Sequence, residues 1–75
     1  MKITLLCYAT FAVKAPENAE AYPISEGETV TDVLERVGIP LDEVKIVFIN
    51  GVSSEFDAEL KDGDRVGVFP AVGGG

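Results

Sequence analysis

Apolar and polar residues alternate at the start of the chain. Ile3, Leu5 and Cys7 fall on one side of an extended segment, and Lys2, Thr4, Leu6 and Tyr8 on the other. This period of two predicts a half-buried strand whose cleaner apolar face carries the first set. The next stretch, "ATFAVKAPENAEA", contains Pro16 and Asn18 and keeps no regular period, so it reads as a long connection. A second short strand is expected near Tyr22 to Ser25, ended by Gly27. In "TVTDVLERVGIP" the period changes: Val30, Val33, Leu34 and Val37 sit at i, i+3, i+4 and i+7, one stripe of a helix. Thr29 and Asp32 have the spacing of a capping box, Gly38 suits a left-handed close, and Pro40 forbids continuation. At two to three turns, this helix must be held by packing of its stripe.

"EVKIVFING" predicts a strong strand stopped by Asn50-Gly51, a favoured hairpin pair. Phe56 and Leu60 are expected to anchor a winding return, and Asp62-Gly63 to make a turn into the last strand, "RVGVF". The order strand, strand, helix, strand, short strand, strand predicts an α+β domain, with a mixed sheet of four to five strands and one main helix across one face. Placing the first and last strands centrally and parallel gives a β-grasp, ubiquitin-like arrangement. One domain is expected over residues 1–75, with 70–75 as a flexible C-terminal tail.

Composition narrows the chemistry. With 75 residues the chain has room for one modest core. Six basic against thirteen acidic residues give a formal charge of −7. Phosphate backbones and anionic membrane surfaces would be repelled, whereas a basic groove on another protein would not. An acidic balance also simply favours solubility. A lone cysteine and no histidine exclude an internal disulfide and a Cys/His zinc site. The apolar runs are too short for a membrane helix, and no basic-then-apolar leader opens the chain, so a soluble, cytoplasmic protein is expected.

Candidates for catalysis are weak. Cys7 is in phase with Ile3 and Leu5 and has no histidine to activate it, so it reads as a small core residue. The carboxylates are scattered over turns and the polar helix face, and Asp62-Gly63-Asp64 lacks the further oxygens of a calcium loop. The chain ends instead in Gly73, Gly74 and Gly75. Glycines can thread a channel too narrow for side chains, and the terminal carboxylate is then an unhindered acyl group on a tether. Joined to AMP it becomes a mixed anhydride open to sulfur or amine nucleophiles. If Val66 and Val68 face the helix, alternation turns Arg65, Gly67 and Phe69 to the other side, with Tyr8, Leu6 and Phe48. That apolar patch fits a docking surface, or merely a cover for the open side of a thin sheet.

The closing "LKDGDRVGVFPAVGGG" resembles the MoaD/ThiS family of ubiquitin-like sulfur carriers, above all the small subunit of molybdopterin synthase, whose members end in a "DGDxVxxFPPVxGG" pattern. "TVTDVLERVGIP" and "VFINGV" agree more loosely, and the strand order fits throughout. Ala71 stands where a second proline is usual, and Gly73 replaces another small residue. The resemblance implies a chain that is not catalytic alone and binds no cofactor. An E1-like activating enzyme would spend ATP to adenylate Gly75, and a sulfur donor such as a cysteine desulfurase system would convert it to a thiocarboxylate. The tail would then enter the large subunit of molybdopterin synthase and give its sulfur to a pterin precursor of the molybdenum or tungsten cofactor. By the same resemblance Gly74 and Gly75 are the reactive pair. Phe69, Pro70, Val72, Gly73, Arg65 and Tyr8 would meet the partners.

Three other readings compete. One is sulfur carriage for thiamine-thiazole synthesis, another a ubiquitin-like modifier joined to lysines through Gly75, and the third a plain interaction module.

Overall fold

The structure, a computed structural model, describes residues 1–71. Strand β1, Lys2–Cys7, follows the alternation: Ile3 and Leu5 are buried, Lys2 is exposed, and Thr4 and Leu6 are half-buried. Strand β2 is shorter than expected, only Tyr22–Pro23, and pairs antiparallel with β1. Proline lacks the N–H a longer ladder would need, which suits Pro23 to an edge strand. Helix α1 spans Val30–Val37, followed by β3, Val44–Ile49, β4, Val52–Ser54, and β5, Arg65–Pro70.

The sheet order is β2-β1-β5-β3-β4. The first and last long strands are central neighbours and run parallel, while β3 is antiparallel to both β5 and β4. This is the ubiquitin-like β-grasp arrangement. Helix α1 contributes Val30, Val33 and Leu34 to a core that also holds Ile3, Leu5, Val47, Val66 and Val68. Val37 packs half-buried against it.

Both helix ends are closed as the sequence requires. Thr29 Oγ1 accepts from the Asp32 N–H at 3.3 Å, and Asp32 Oδ2 accepts from the Thr29 N–H at 3.0 Å. Gly38 takes φ 93°, and its N–H donates to the Leu34 and Glu35 carbonyls. The return segment serves the helix start: the Ala58 carbonyl accepts from Val30 and the Phe56 carbonyl from Thr31, satisfying N–H groups that lack partners within α1. Leu60 is the buried anchor there at 1% exposure, but Phe56 stays 37% exposed and contributes its backbone rather than its ring.

The connection between β1 and β2 is more ordered than its lack of period suggests. It contains two 3₁₀ turns, Ala9–Lys14 and Ala19–Ala21, and Phe11 in the first is buried to 1%. A single apolar anchor sets no period, so it leaves no trace in the alternation. A third 3₁₀ turn, Leu41–Glu43, leads into β3.

The hairpin and turn residues behave as read. Asn50 and Gly51 both have positive φ, 54° and 83°, as a type I′ turn demands. The Asp62-Gly63 turn is tied back to β1, with Asp62 Oδ1 accepting from the Lys2 N–H and the Gly63 N–H donating to the Lys2 carbonyl. At the other end of β5, Pro70 pairs with Val44 and the Ala71 N–H donates to the Glu43 carbonyl at 2.8 Å. The sheet therefore holds the chain through Ala71, and Pro70, expected in the tail, is strand. Val72, Gly73, Gly74 and Gly75 lie outside the described residues.

Candidate functional site

With Val66 and Val68 buried toward α1, Arg65, Gly67 and Phe69 are turned to the open face of the sheet. The two flanking strands complete this face. Register sets Leu6 of β1 and Phe48 of β3 on either side of Gly67, and Ile46 beside Phe69. Tyr8 follows β1 and is held to β5 by its N–H, which donates to the Val68 carbonyl.

The rings meet in a defined way. Tyr8 and Phe69 stack with centroids 4.2 Å apart and planes 4° from parallel, and Phe48 meets Phe69 edge-on at 5.7 Å and 85°. Both are favoured aromatic geometries. Gly67 makes room for them: a Cβ there would stand 3.3 Å from Tyr8 Cε2 and 3.9 Å from Phe69. The result is a groove of about 620 Å³ with aromatic walls over Leu6 and Gly67.

Its far end is polar. Asn50, Gly51 and Arg65 line it there. The Asn50 side chain is locked: Oδ1 accepts from the Arg65 N–H at 3.0 Å and Nδ2 donates to Asp64 Oδ1 at 2.9 Å. The Asp64 carboxylate also accepts from the Lys61 N–H. These bonds hold the start of β5 against the hairpin. The guanidinium of Arg65, in contrast, makes no ion pair with any described residue; the pair that forms is Arg36 with Glu28, on Arg36's way across the Tyr22 ring.

The structure thus brings Tyr8, Arg65 and Phe69 to one face, with Pro70 at its edge where the chain leaves the sheet. Asn50 and Gly51 were legible only as turn residues, and their part in the groove depends on which strand the hairpin lies beside. Cys7 points the other way, half-buried against the core, and burial pushes its thiol pKa up. No polar or charged side chain is buried among the described residues, and no three potential metal ligands converge there. None of their helices is long and apolar enough to cross a membrane. The groove thus sets aromatic walls beside the Arg65 guanidinium, which is unpaired among the described residues.

A family model described as Mut7-C ubiquitin matches residues 9–73, most of the chain. The chain belongs to the Mut7-C ubiquitin family. Among solved structures, a Pyrococcus furiosus protein assigned as molybdopterin converting factor, subunit 1, is similar at 31% identity and a TM-score of 0.74. The match covers 96% of this chain and 99% of that one. SAMP1 from Haloferax volcanii shares the fold, with a TM-score of 0.72 at 22% identity over the full length of both chains. No curated protein matches the sequence. The resemblance to the MoaD type read from "DGDRVGVFPAVGGG" therefore has a counterpart in both sequence and fold across the domain.

Proposed function

We propose that this Mut7-C ubiquitin is a sulfur carrier for molybdopterin synthesis, reacting through the carboxylate of Gly75. The observation that carries the reading is the full-length similarity, at 31% identity, to a protein assigned as molybdopterin converting factor subunit 1. The closing "FPAVGGG" supplies the glycine end that such chemistry needs.

The Gly75 carboxylate attacks the α-phosphorus of ATP on an E1-like activating enzyme, giving an acyl adenylate and releasing pyrophosphate. A persulfide sulfur from a cysteine desulfurase system displaces AMP, and reduction of the resulting acyl disulfide by a thiol leaves the thiocarboxylate. In the large subunit of molybdopterin synthase that sulfur attacks an oxygen-bearing carbon of the pterin precursor and displaces the oxygen substituent. Water then cleaves the resulting thioester, leaving the sulfur on the pterin as a thiol and restoring the Gly75 carboxylate. The domain's own part is to bind and to aim. The parallel β1 and β5 send the chain out beside the Tyr8 and Phe69 rings, and Pro70 fixes φ where the strand ends.

Intact-mass analysis tests the reading. Protein incubated with its activating enzyme, ATP and a sulfur donor should exchange one oxygen for sulfur at Gly75, and a form extended beyond Gly75 should not react until a protease trims it. An unchanged mass with an enzyme that demonstrably releases pyrophosphate would overturn it. Glycine remnants on cellular lysines, with no thiocarboxylate formed, would assign the same activation chemistry to protein modification instead.

A further inference from the structure

The groove has two unlike ends, and only one lies near the tail. Arg65 and Pro70 mark opposite ends of β5, about 17 Å apart at strand rise. The Arg65 end gathers an exposed guanidinium and the Asn50-Gly51 turn beside the Phe48 ring. In a chain with thirteen acidic side chains, this guanidinium pairs with none of those described, although Asp64 is its immediate neighbour. Asp64 is held away by Asn50 and by the Lys61 N–H. The cation is thus kept free at the mouth of an apolar groove.

We infer that the Arg65 end recognises a carboxylate of a partner protein, whose adjacent apolar side chain rests against Tyr8, Phe48 and Phe69. Charge complementarity selects this occupant. A planar guanidinium at the edge of a partly desolvated aromatic wall suits a carboxylate, which it can hold through two parallel N–H···O bonds. Arginine and aromatic residues are also the side chains that dominate interface energetics. The chain's overall charge of −7 works against an acidic partner at long range, so a preference for one must come from this local site. The inference goes beyond sulfur carriage and does not depend on what happens at Gly75.

Amide-resolved NMR titration of the whole chain tests it, with two probes: acetyl-Ala-Leu-Glu-Phe-Ala-amide and the same peptide with glutamine for glutamate. Shifts should cluster at Leu6, Tyr8, Asn50, Gly51, Arg65 and Gly67, and the glutamate peptide should bind about fivefold to tenfold more tightly. Arg65→Gln should abolish that difference while Lys61→Gln, the same charge change outside the groove, preserves it. Arg65→Lys, which keeps the charge and loses the fork, should fall between and guards against misfolding of the glutamine variant. Equal binding of the two peptides, or equal loss in both charge variants, overturns the proposal. So do shifts that move with protein concentration alone, which would assign the groove to a second copy. Each of these leaves thiocarboxylate formation, read by mass, untouched.

Discussion

Tyr8 lies flat on Phe69, ring centroids 4.2 Å apart, although one follows the first strand and the other belongs to the last. The stack exists because β1 and β5 run parallel in adjacent positions and because Gly67 leaves the space that the Tyr8 ring crosses. It sets an aromatic wall at the point where the chain leaves the sheet.

Gly67→Ala therefore acts on the groove more than on the fold. The new Cβ would sit 3.3 Å from Tyr8 Cε2, so the ring must move by a few tenths of an ångström. Because Tyr8 is 40% exposed it can do so, and unfolding free energy should stay within about 1 kcal/mol of wild type. Tyr8 ring resonances and Tyr8–Phe69 nuclear Overhauser effects should nevertheless change. If they do not, Gly67 is not what seats the ring.

Gly38→Ala isolates a backbone effect. The position has φ 93°, and a Cβ there meets nothing within 4 Å, so the cost is conformational alone, about 1–2 kcal/mol. The urea midpoint should fall with an unchanged slope. Gly38→Asn should lose less, since asparagine tolerates the left-handed region better.

Phe11→Ala removes the buried anchor of the first 3₁₀ turn and should cost about 3–5 kcal/mol. A chain of 75 residues has roughly 4–11 kcal/mol in total, so this variant should be close to unfolding at room temperature. Val13→Ala in the same turn, at a site 88% exposed, should leave thermal unfolding nearly unchanged. Similar losses for the two would show that Phe11 does not tether the connection.

Cys7 gives a pH prediction. Burial raises its pKa above the ordinary value, so less thiolate is present at any given pH than in the unfolded chain. Alkylation by iodoacetamide should be slower in the native protein than in urea at pH 8, and its pH midpoint should lie higher. Its contribution to stability is complete below the unfolded thiol's pKa and is lost as pH rises through the native one. A native midpoint at or below that of the unfolded chain would contradict the burial.

Local signals were legible wherever a residue acts through its immediate neighbours. The Thr29–Asp32 box, the Gly38 close and the Asn50-Gly51 turn each depend on backbone within a few residues, and each appears as read. The alternation in "RVGVF" assigned Val66 and Val68 to the core and Phe69 to the other face before any neighbour was known. Phe56 failed as an anchor because its role, a carbonyl offered to Thr31, belongs to the backbone, which every residue possesses. Pro70 read as tail because proline often marks an exit, yet its carbonyl side and fixed φ suit the last position of a strand.

By itself, the sequence determined the main helix with its caps, the long strands and the two faces of β5, since these follow from periodicity and local backbone chemistry. Only the tertiary structure decided that Phe11 is buried, that Asn50 holds Asp64 away from Arg65, and that the Tyr8 ring crosses Gly67 to reach Phe69. Each of those depends on how the elements pack and on strand order and register, which bring together residues at separations that no local pattern records.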